Sequence, residues 1–260
     1  MTILDKIIAK KAVEVEQAKT AVPLAELKQK PLFTRSCLSL RETIHDPKKN
    51  GIIAEYKRAS PSKGIINDQV SVAEVVQGYQ RAGVSAVSVL TDGPFFQGSL
   101  DDLMAARAAL TIPLLRKEFI IDEYQIVEAK AHGADIILLI AAVLDTGQIK
   151  ALSEFAKTLG LNVLLEVHNR EELERSIMDS VDAIGVNNRN LNDFSVSLNH
   201  SLELVALIPE RFIKVSESGI SNPDTIRQLR EVGYNGFLIG ENFMKTAYPS
   251  NAIKNFVANL

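Results

Sequence analysis

The chain has 260 residues, with 29 Lys and Arg against 32 Asp and Glu, for a formal net charge of −3. Apolar residues make up 46% and charged residues 23%, which excludes intrinsic disorder, a collagen-like fibre and a disulfide-stapled miniprotein. A chain of this size buries roughly three quarters of its unfolded surface and needs no metal or disulfide to fold. Cys37 is the single cysteine, and the four histidines show no zinc-ligand spacing. The longest apolar run, Ile136 to Leu144, is far short of a bilayer span. With no signal-peptide core, and with Asp5, Glu14 and Glu16 arguing against a transit peptide, a soluble cytoplasmic protein is expected. Charge is uneven: residues 1–50 carry +4 and the remainder −7. A basic arm favours an anionic ligand nearby, although a solvated helix face is the simpler explanation. No basic and aromatic run points to nucleic acid.

In chain order, the first segment reads as a helix. Thr2 and Asp5 are spaced for capping, and Leu4, Ile7, Ile8, Ala12 and Val15 form an apolar stripe, with Lys6, Lys10, Lys11 and Glu14 elsewhere. Pro23 and Pro31 break this pattern. From residue 50 a rhythm begins. Apolar runs lie at Ile52–Lys57, Ala86–Leu90, Pro113–Phe119, Asp135–Ile140, Asn162–Val167, Ala183–Asn188, Phe212–Ser218 and Gly236–Gly240. Between them, amphipathic stretches run over Val70–Ala82, Ser99–Leu110, Glu123–His132, Gly147–Leu159, Arg170–Met178, Ser201–Ile208 and Asn222–Val232. Ser71, Asn169 and Asn222 offer N-cap chemistry, and Gly83, Gly133, Gly160 and Gly233 stand at helix stops. Near-continuous apolar strands alternating with helices are parallel strands covered on their outer side. Eight such units predict a single (β/α)₈ barrel over 51–260, with a helical extension over 1–50 that covers one mouth. A doubly wound open sheet is the competitor, but no G-x-G-x-x-G follows the first strand.

Chemistry in such a barrel sits where strands run into the following loops, so polar strand ends carry the information. Glu55 and Lys57 share a face with Ile53, as either a functional pair or a structural ion pair. Lys117 lies between Leu115 and Phe119 on one face, while Arg116 and Glu118 take the other. Apolar neighbours mark Lys117 as a candidate for a lowered pKa and a general acid or Schiff-base role, with a snorkelling surface lysine as the alternative. Glu166 follows apolar residues, so a raised pKa and a proton-transfer role are expected. Glu166 and His168 share a face with Leu164, and His168 either belongs to the site or, on the simpler reading, leads into the cap at Asn169. Asn187 and Arg189 share one side after the sixth strand. Gly219 and Gly240 follow the last two strands, where backbone amides approach a phosphate, although either glycine also suits a tight turn. Without a Walker A motif, a nucleoside triphosphate is not the expected ligand.

These segments resemble the indole-3-glycerol-phosphate synthase family. The matches are Ile53 to Ser62, Leu90 to Asp92 with Phe96 to Ser99, Leu114 to Ile120, Leu165 to His168, Ile184 to Leu191, Ser216 to Ile220 and Phe237 to Glu241. The resemblance implies conversion of 1-(2-carboxyphenylamino)-1-deoxyribulose 5-phosphate to indole-3-glycerol phosphate, CO₂ and water, with no metal or organic cofactor. It implies that Lys117 is the general acid and Glu166 a proton-transfer carboxylate. Glu55 and Asn187 are implied to orient reacting groups, Lys57 to hold the substrate carboxylate, and Glu217 to support them. Phe96, Phe119 and Leu139 are expected to wall the aromatic ring, while Ser60, Arg189, Ser218, Gly219, Gly240 and Glu241 lie in the substrate and phosphate loops. Glu241 would contribute its backbone N–H. Gln97 and Glu241 depart from residues common in the family, Asn and Ser, leaving only their side-chain contacts in question. The expected partner is a small anionic substrate, with neither nucleic acid nor membrane, for a monomer or homodimer. The competing readings are another phosphate-binding barrel, such as phosphoribosylanthranilate isomerase or the tryptophan synthase α subunit, and a non-catalytic binding barrel.

Overall fold

A computed structural model describes residues 2–190 and 193–260. The barrel strands are β1 (Ile52–Tyr56), β2 (Ala86–Leu90), β3 (Leu114–Lys117), β4 (Ile136–Ile140), β5 (Asn162–Val167), β6 (Ala183–Asn187), β7 (Ile213–Glu217) and β8 (Gly236–Ile239). Each pairs in parallel with its chain neighbours, and β1 pairs with β8, so the sheet closes without an edge. The eight apolar runs of the sequence are these strands, within two residues at each end. Three helices precede them: α1 (Ile3–Ala21), α2 (Leu24–Leu27) and α3 (Leu40–His45). The outer layer consists of α4 (Val72–Arg81), α5 (Leu100–Ala109), α6 (Glu123–Ala131), α7 (Thr146–Thr158), α8 (Arg170–Ser176), α9 (Asn199–Leu204), α10 (Pro223–Glu231) and α11 (Pro249–Val257).

Local chemistry accounts for these boundaries. Asn169 and Asn222 accept hydrogen bonds from the amides of Glu172 and Thr225, whereas Ser71 occupies its cap position without such a bond. Gly83, Gly133, Gly160 and Gly233 all take positive φ, the left-handed geometry that ends a helix without a Cβ clash. Thr2 and Asp5 form the full capping box of α1. The apolar periodicity does not single out α11, which packs on α4 so closely that a Cβ on Gly78 would meet Ser250 Oγ at 2.0 Å. Among the described residues no helix is long and apolar enough to cross a membrane.

Strand alternation divides the core in two. Ile53, Ala86, Leu115, Ile136, Leu138, Leu164, Ala183, Ile213 and Leu238 fill the barrel interior, whereas Ile52, Val87, Leu114, Ile137, Leu139, Val163, Leu165 and Ile184 face the helices. The N-terminal extension packs at both ends of this interior, rather than at one. Leu40 and Ile44 of α3 join the inward cluster beside residues that begin the strands. At the opposite end, Ile3, Leu4 and Ile7 of α1 line the cleft into which the strands run.

The inward stripe of α1 also corrects an expectation. Lys11 is buried, not on the solvent side, and its Nζ lies 2.8 Å from Glu14, 3.0 Å from Asp92 and 3.0 Å from Glu118. Helical spacing places residue 11 one turn from both Ile7 and Val15, and three carboxylates replace the water that its ammonium gives up. Further along, Tyr124 donates to the carbonyls of Ala18 and Val22 at 2.9 Å each. Asp135 is fully buried and accepts from Arg35 and Arg107 at 2.7 Å each, which ties the segment before α3 to the start of β4.

Leu40 is fully buried, so Leu40→Ala is expected to destabilise the fold by about 2–5 kcal/mol. Denaturant unfolding measures this; a loss below about 1 kcal/mol would show that α3 does not seal the barrel.

Candidate active site

Five strand ends deliver the candidate residues to one cleft. β1 contributes Glu55, with Lys57 just beyond it; β3 contributes Lys117, β5 Glu166, β6 Asn187 and β7 Glu217. The cleft has about 1000 Å³ of empty space, part of it open to solvent, and Ser60, Phe96, Phe119, Arg189, Ser218 and Glu241 also line it. Gly219 and Gly240 lie in an adjoining hollow that shares Glu55, Lys57, Arg189 and Ser218. All the expected site residues except Leu139 therefore converge. Leu139 points outward into the helix layer, and its neighbours Leu138 and Ile140 line the cleft instead. Adjacent strand residues face opposite ways, and the inward set on β4 is the even-numbered one. Within the matched segment after β6, Leu191 lies outside the described residues.

The ammonium of Lys117 is the electrostatic centre. Its Nζ lies 2.8 Å from Glu217 Oε2 and 3.2 Å from Glu166 Oε2. Burial pushes its pKa down, but Glu217, Glu166 and Glu55 outweigh burial and hold it well above the ordinary lysine value. This reverses the lowered value expected from its apolar strand neighbours, because the decisive charges come from other strands. Glu55 in turn pairs with Lys57 at 2.8 Å.

The two carboxylates on Lys117 are not equivalent. Glu166 Oε1 accepts from Asn187 Nδ2 at 3.0 Å and stands 3.4 Å from His168 Nε2. Glu217 Oε1 is buried and has no hydrogen-bond partner among the described residues. Burial alone favours the neutral form of both. At Glu166, Lys117, His168 and Asn187 overcome it, and the carboxyl falls below its usual value. At Glu217 burial prevails over Lys117, the Glu166 charge adds to it, and the carboxyl is pushed up to about 7. The raised carboxyl expected from the sequence thus belongs to Glu217, not to Glu166.

Several parts of the site carry weak sequence signals. A Cβ on Gly185 would meet Glu217 Oε1 at 2.1 Å, so that glycine makes room for the carboxylate. Its signal is a glycine inside a strand, two residues before Asn187, where a close approach is required. Gly240 plays the same part for Glu55, whose Oε1 would lie 2.7 Å from an added Cβ. Gly219 takes φ +79°, and Ser218 before it takes φ +66° without being a glycine. Lys63 and Lys245 join the hollow. There Glu241 lies 3.6 Å from Arg189 and 3.9 Å from Lys63, so its side chain faces cations. Phe96 and Phe119 stand with ring centroids 6.0 Å apart, forming an aromatic wall. The cleft suits a dianion with a flat ring: apolar walls at one end, lysines in the middle, and glycine loops with Arg189 at the other. Cys37 lies elsewhere, 3.0 Å from Lys130 Nζ, so the described cleft offers no cysteine for acid–base work.

Comparison with known proteins places the chain in a family. The family model described as indole-3-glycerol phosphate synthase matches residues 4–256. A protein of that name from Bacteroides thetaiotaomicron is 46% identical over 255 residues, spanning 98% of this chain and 97% of its own. Another, from Laribacter hongkongensis, is 44% identical and spans 98% and 99%. Among solved structures, a tryptophan synthase complex from Pyrococcus furiosus has a TM-score of 0.62 at 16% identity, covering 82% of this chain and 98% of that one. The 3-hexulose-6-phosphate synthase of Salmonella typhimurium has a TM-score of 0.61 at 12% identity, covering 81% and 98%. At these identities the structural likeness shows the barrel fold alone.

Gly185→Ala is expected to displace the Glu217 carboxylate without opening the barrel. Circular dichroism would remain unchanged, while a crystal structure would show Glu217 moved off Lys117. A variant that kept the 2.8 Å contact would contradict this account of the glycine.

Proposed function

The chain belongs to the indole-3-glycerol phosphate synthase family, and from that premise we propose how its own residues divide the work. The activity closes an indole ring, converting 1-(2-carboxyphenylamino)-1-deoxyribulose 5-phosphate to indole-3-glycerol phosphate with loss of CO₂ and water. The observation that carries the assignment is the shared ammonium of Lys117, flanked by Glu166 and Glu217 in a cleft that runs on into the glycine loops.

The phosphate lies against Ser218, Gly219, Gly240 and the Glu241 amide, with Arg189 and Lys63 supplying charge. The anthranilate ring lies between Phe96, Phe119 and the inward pair Leu138 and Ile140, and Lys57 meets its carboxylate. As the ring carbon bearing that carboxylate attacks the ketone, negative charge develops on the carbonyl oxygen, and Lys117 delivers a proton to it. A ketone is too weak a base to remove that strongly held proton, but a developing alkoxide is not, so the transfer accompanies bond formation. Loss of CO₂ leaves its bonding electrons in the ring system. Recharged by Glu217, Lys117 delivers a second proton to the new hydroxyl, which departs as water, and Glu166 accepts the proton released from the adjacent methylene carbon as the indole double bond forms. Glu217, titrating near neutrality and 2.8 Å from Lys117, restores the lysine's proton. Glu55 and Asn187 orient Lys57 and Glu166.

Lys117→Ala and Glu166→Gln are each expected to lower turnover by about 10²–10⁴-fold with the fold retained. Fluorescence of the indole product reports it, and wild-type turnover in both variants would refute the assignment. Glu217 is protonated below about pH 7 and ionised above it. The activity of the wild type is therefore expected to fall as pH rises through that region. Glu217→Gln should lose this bend in the rate profile; an unchanged bend would assign it to another group.

A further inference from the structure

His168 directly follows β5, two residues beyond Glu166, and its ring is almost wholly enclosed. Its backbone amide donates to Glu172 Oε2 at 2.8 Å, and Asn169 caps α8 by accepting from the Glu172 amide at 2.9 Å. The start of α8 is thus already secured by the His168 backbone and by Asn169. The ring instead bridges two carboxylates. Nδ1 lies 3.2 Å from Glu172 Oε2, and Nε2 points to Glu166 Oε1 at 3.4 Å. Nε2 is buried and has no hydrogen-bond partner among the described residues. A buried ring nitrogen of this kind requires an explanation, and the adjacent carboxylate supplies one.

We propose that His168 is a positioning residue for the reaction, held by Glu172 and acting through Glu166. It fixes the Glu166 carboxylate so that Oε2 stays on Lys117 while Oε1 faces His168 and Asn187. The inference deepens the proposed function and rests on the proton-transfer role given there to Glu166.

The charged groups facing the imidazole are Glu166 from β5 and Glu172 from α8; beyond Glu166 stand Lys117 of β3 and the neutral Asn187 of β6. Burial disfavours a charged ring, but the two carboxylates overcome it and push the imidazole up to about 10. At neutral pH the ring is therefore a cation beside Glu166. Two cations with one hydrogen-bond donor keep Glu166 ionised, while Glu217, with Lys117 alone, holds a proton near neutrality. His168 and Asn187 lower Glu166, while the charges of Glu166 and Glu55 raise Glu217, so His168 supplies part of the difference between the two carboxylates. At 3.4 Å the contact is longer than a hydrogen bond, and it can shorten when substrate expels water from the cleft.

The test uses the full chain and two readouts. His168→Gln preserves bulk and removes the charge. It is expected to lower kcat by about 10–100-fold with KM changed less than about threefold. Because Glu166 loses a cation, its carboxyl rises, and the acid limb of the kcat profile moves upward. Glu172→Gln should move both in the same direction by less. The second readout is NMR titration of the His168 imidazole in the ligand-free protein, which needs neither substrate nor activity. The ring is expected to remain cationic past pH 9 in the wild type and to titrate lower in Glu166→Gln. Should His168→Gln fail to fold, this titration in the wild type and in Glu172→Gln decides the question. An imidazole titrating near 6.5, or a folded His168→Gln with unchanged kcat and acid limb, would overturn the proposal. A wild type inactive on the ribulose substrate would refute the proposed function while leaving the imidazole result standing.

Discussion

A single buried ammonium organises the catalytic end of this barrel. Lys117 holds Glu166 and Glu217 by direct contact and feels Glu55 beyond them, so its surroundings come from three other strands. Charges withdrawn from water are tolerated only when they satisfy one another, so the four groups constrain the strands that carry them. That requirement accounts for otherwise odd choices nearby. Gly185 and Gly240 lack side chains because carboxylates need the space, and Lys57 stands beside Glu55 because a third carboxylate needs a counter-charge.

The same principle recurs where the N-terminal extension meets the barrel. Lys11 brings a second buried ammonium to Glu14, Asp92 and Glu118, and Asp135 anchors the segment before α3 through Arg35. The extension thus has two duties set by two kinds of packing. Leu40 and Ile44 stop the floor with apolar volume, while Ile3, Leu4 and Ile7 roof the cleft and Lys11 fixes the helix that bears them. Apolar packing at the floor gives rigidity, and a charged anchor near the mouth sets the register of α1 without filling the cleft.

The two glutamates on Lys117 are unequal. Two glutamates share one lysine, yet one keeps its proton near neutrality and the other does not. The difference arises from what stands behind each: Asn187 and His168 behind Glu166, an unpartnered oxygen behind Glu217. Separating the proton affinities of paired acids by their surroundings lets one cleft both give and take protons at a single pH.

Much of this was legible before any coordinates. Apolar runs at a strand period, separated by capped helices, determined the eight βα units, because burial on both faces leaves that pattern in a chain. Polar residues at strand ends marked Glu55, Lys57, Lys117, Glu166 and Asn187, because alternation fixes which neighbours share a face, whereas Glu217 entered only through the family resemblance. What the chain order does not contain is which inward face meets which partner across the barrel. Lys11 therefore passed for a solvated lysine, while Leu139 was exchanged with Leu138 and Ile140 because β4 is apolar at every position and carries no alternation to mark its inward face. The proton affinities of Lys117 and Glu166 were inferred in the wrong direction, since each depends on charges from strands distant in sequence. Local pattern decides where a side chain points; only closure of the barrel decides what it meets there, and Coulomb energies depend on that distance.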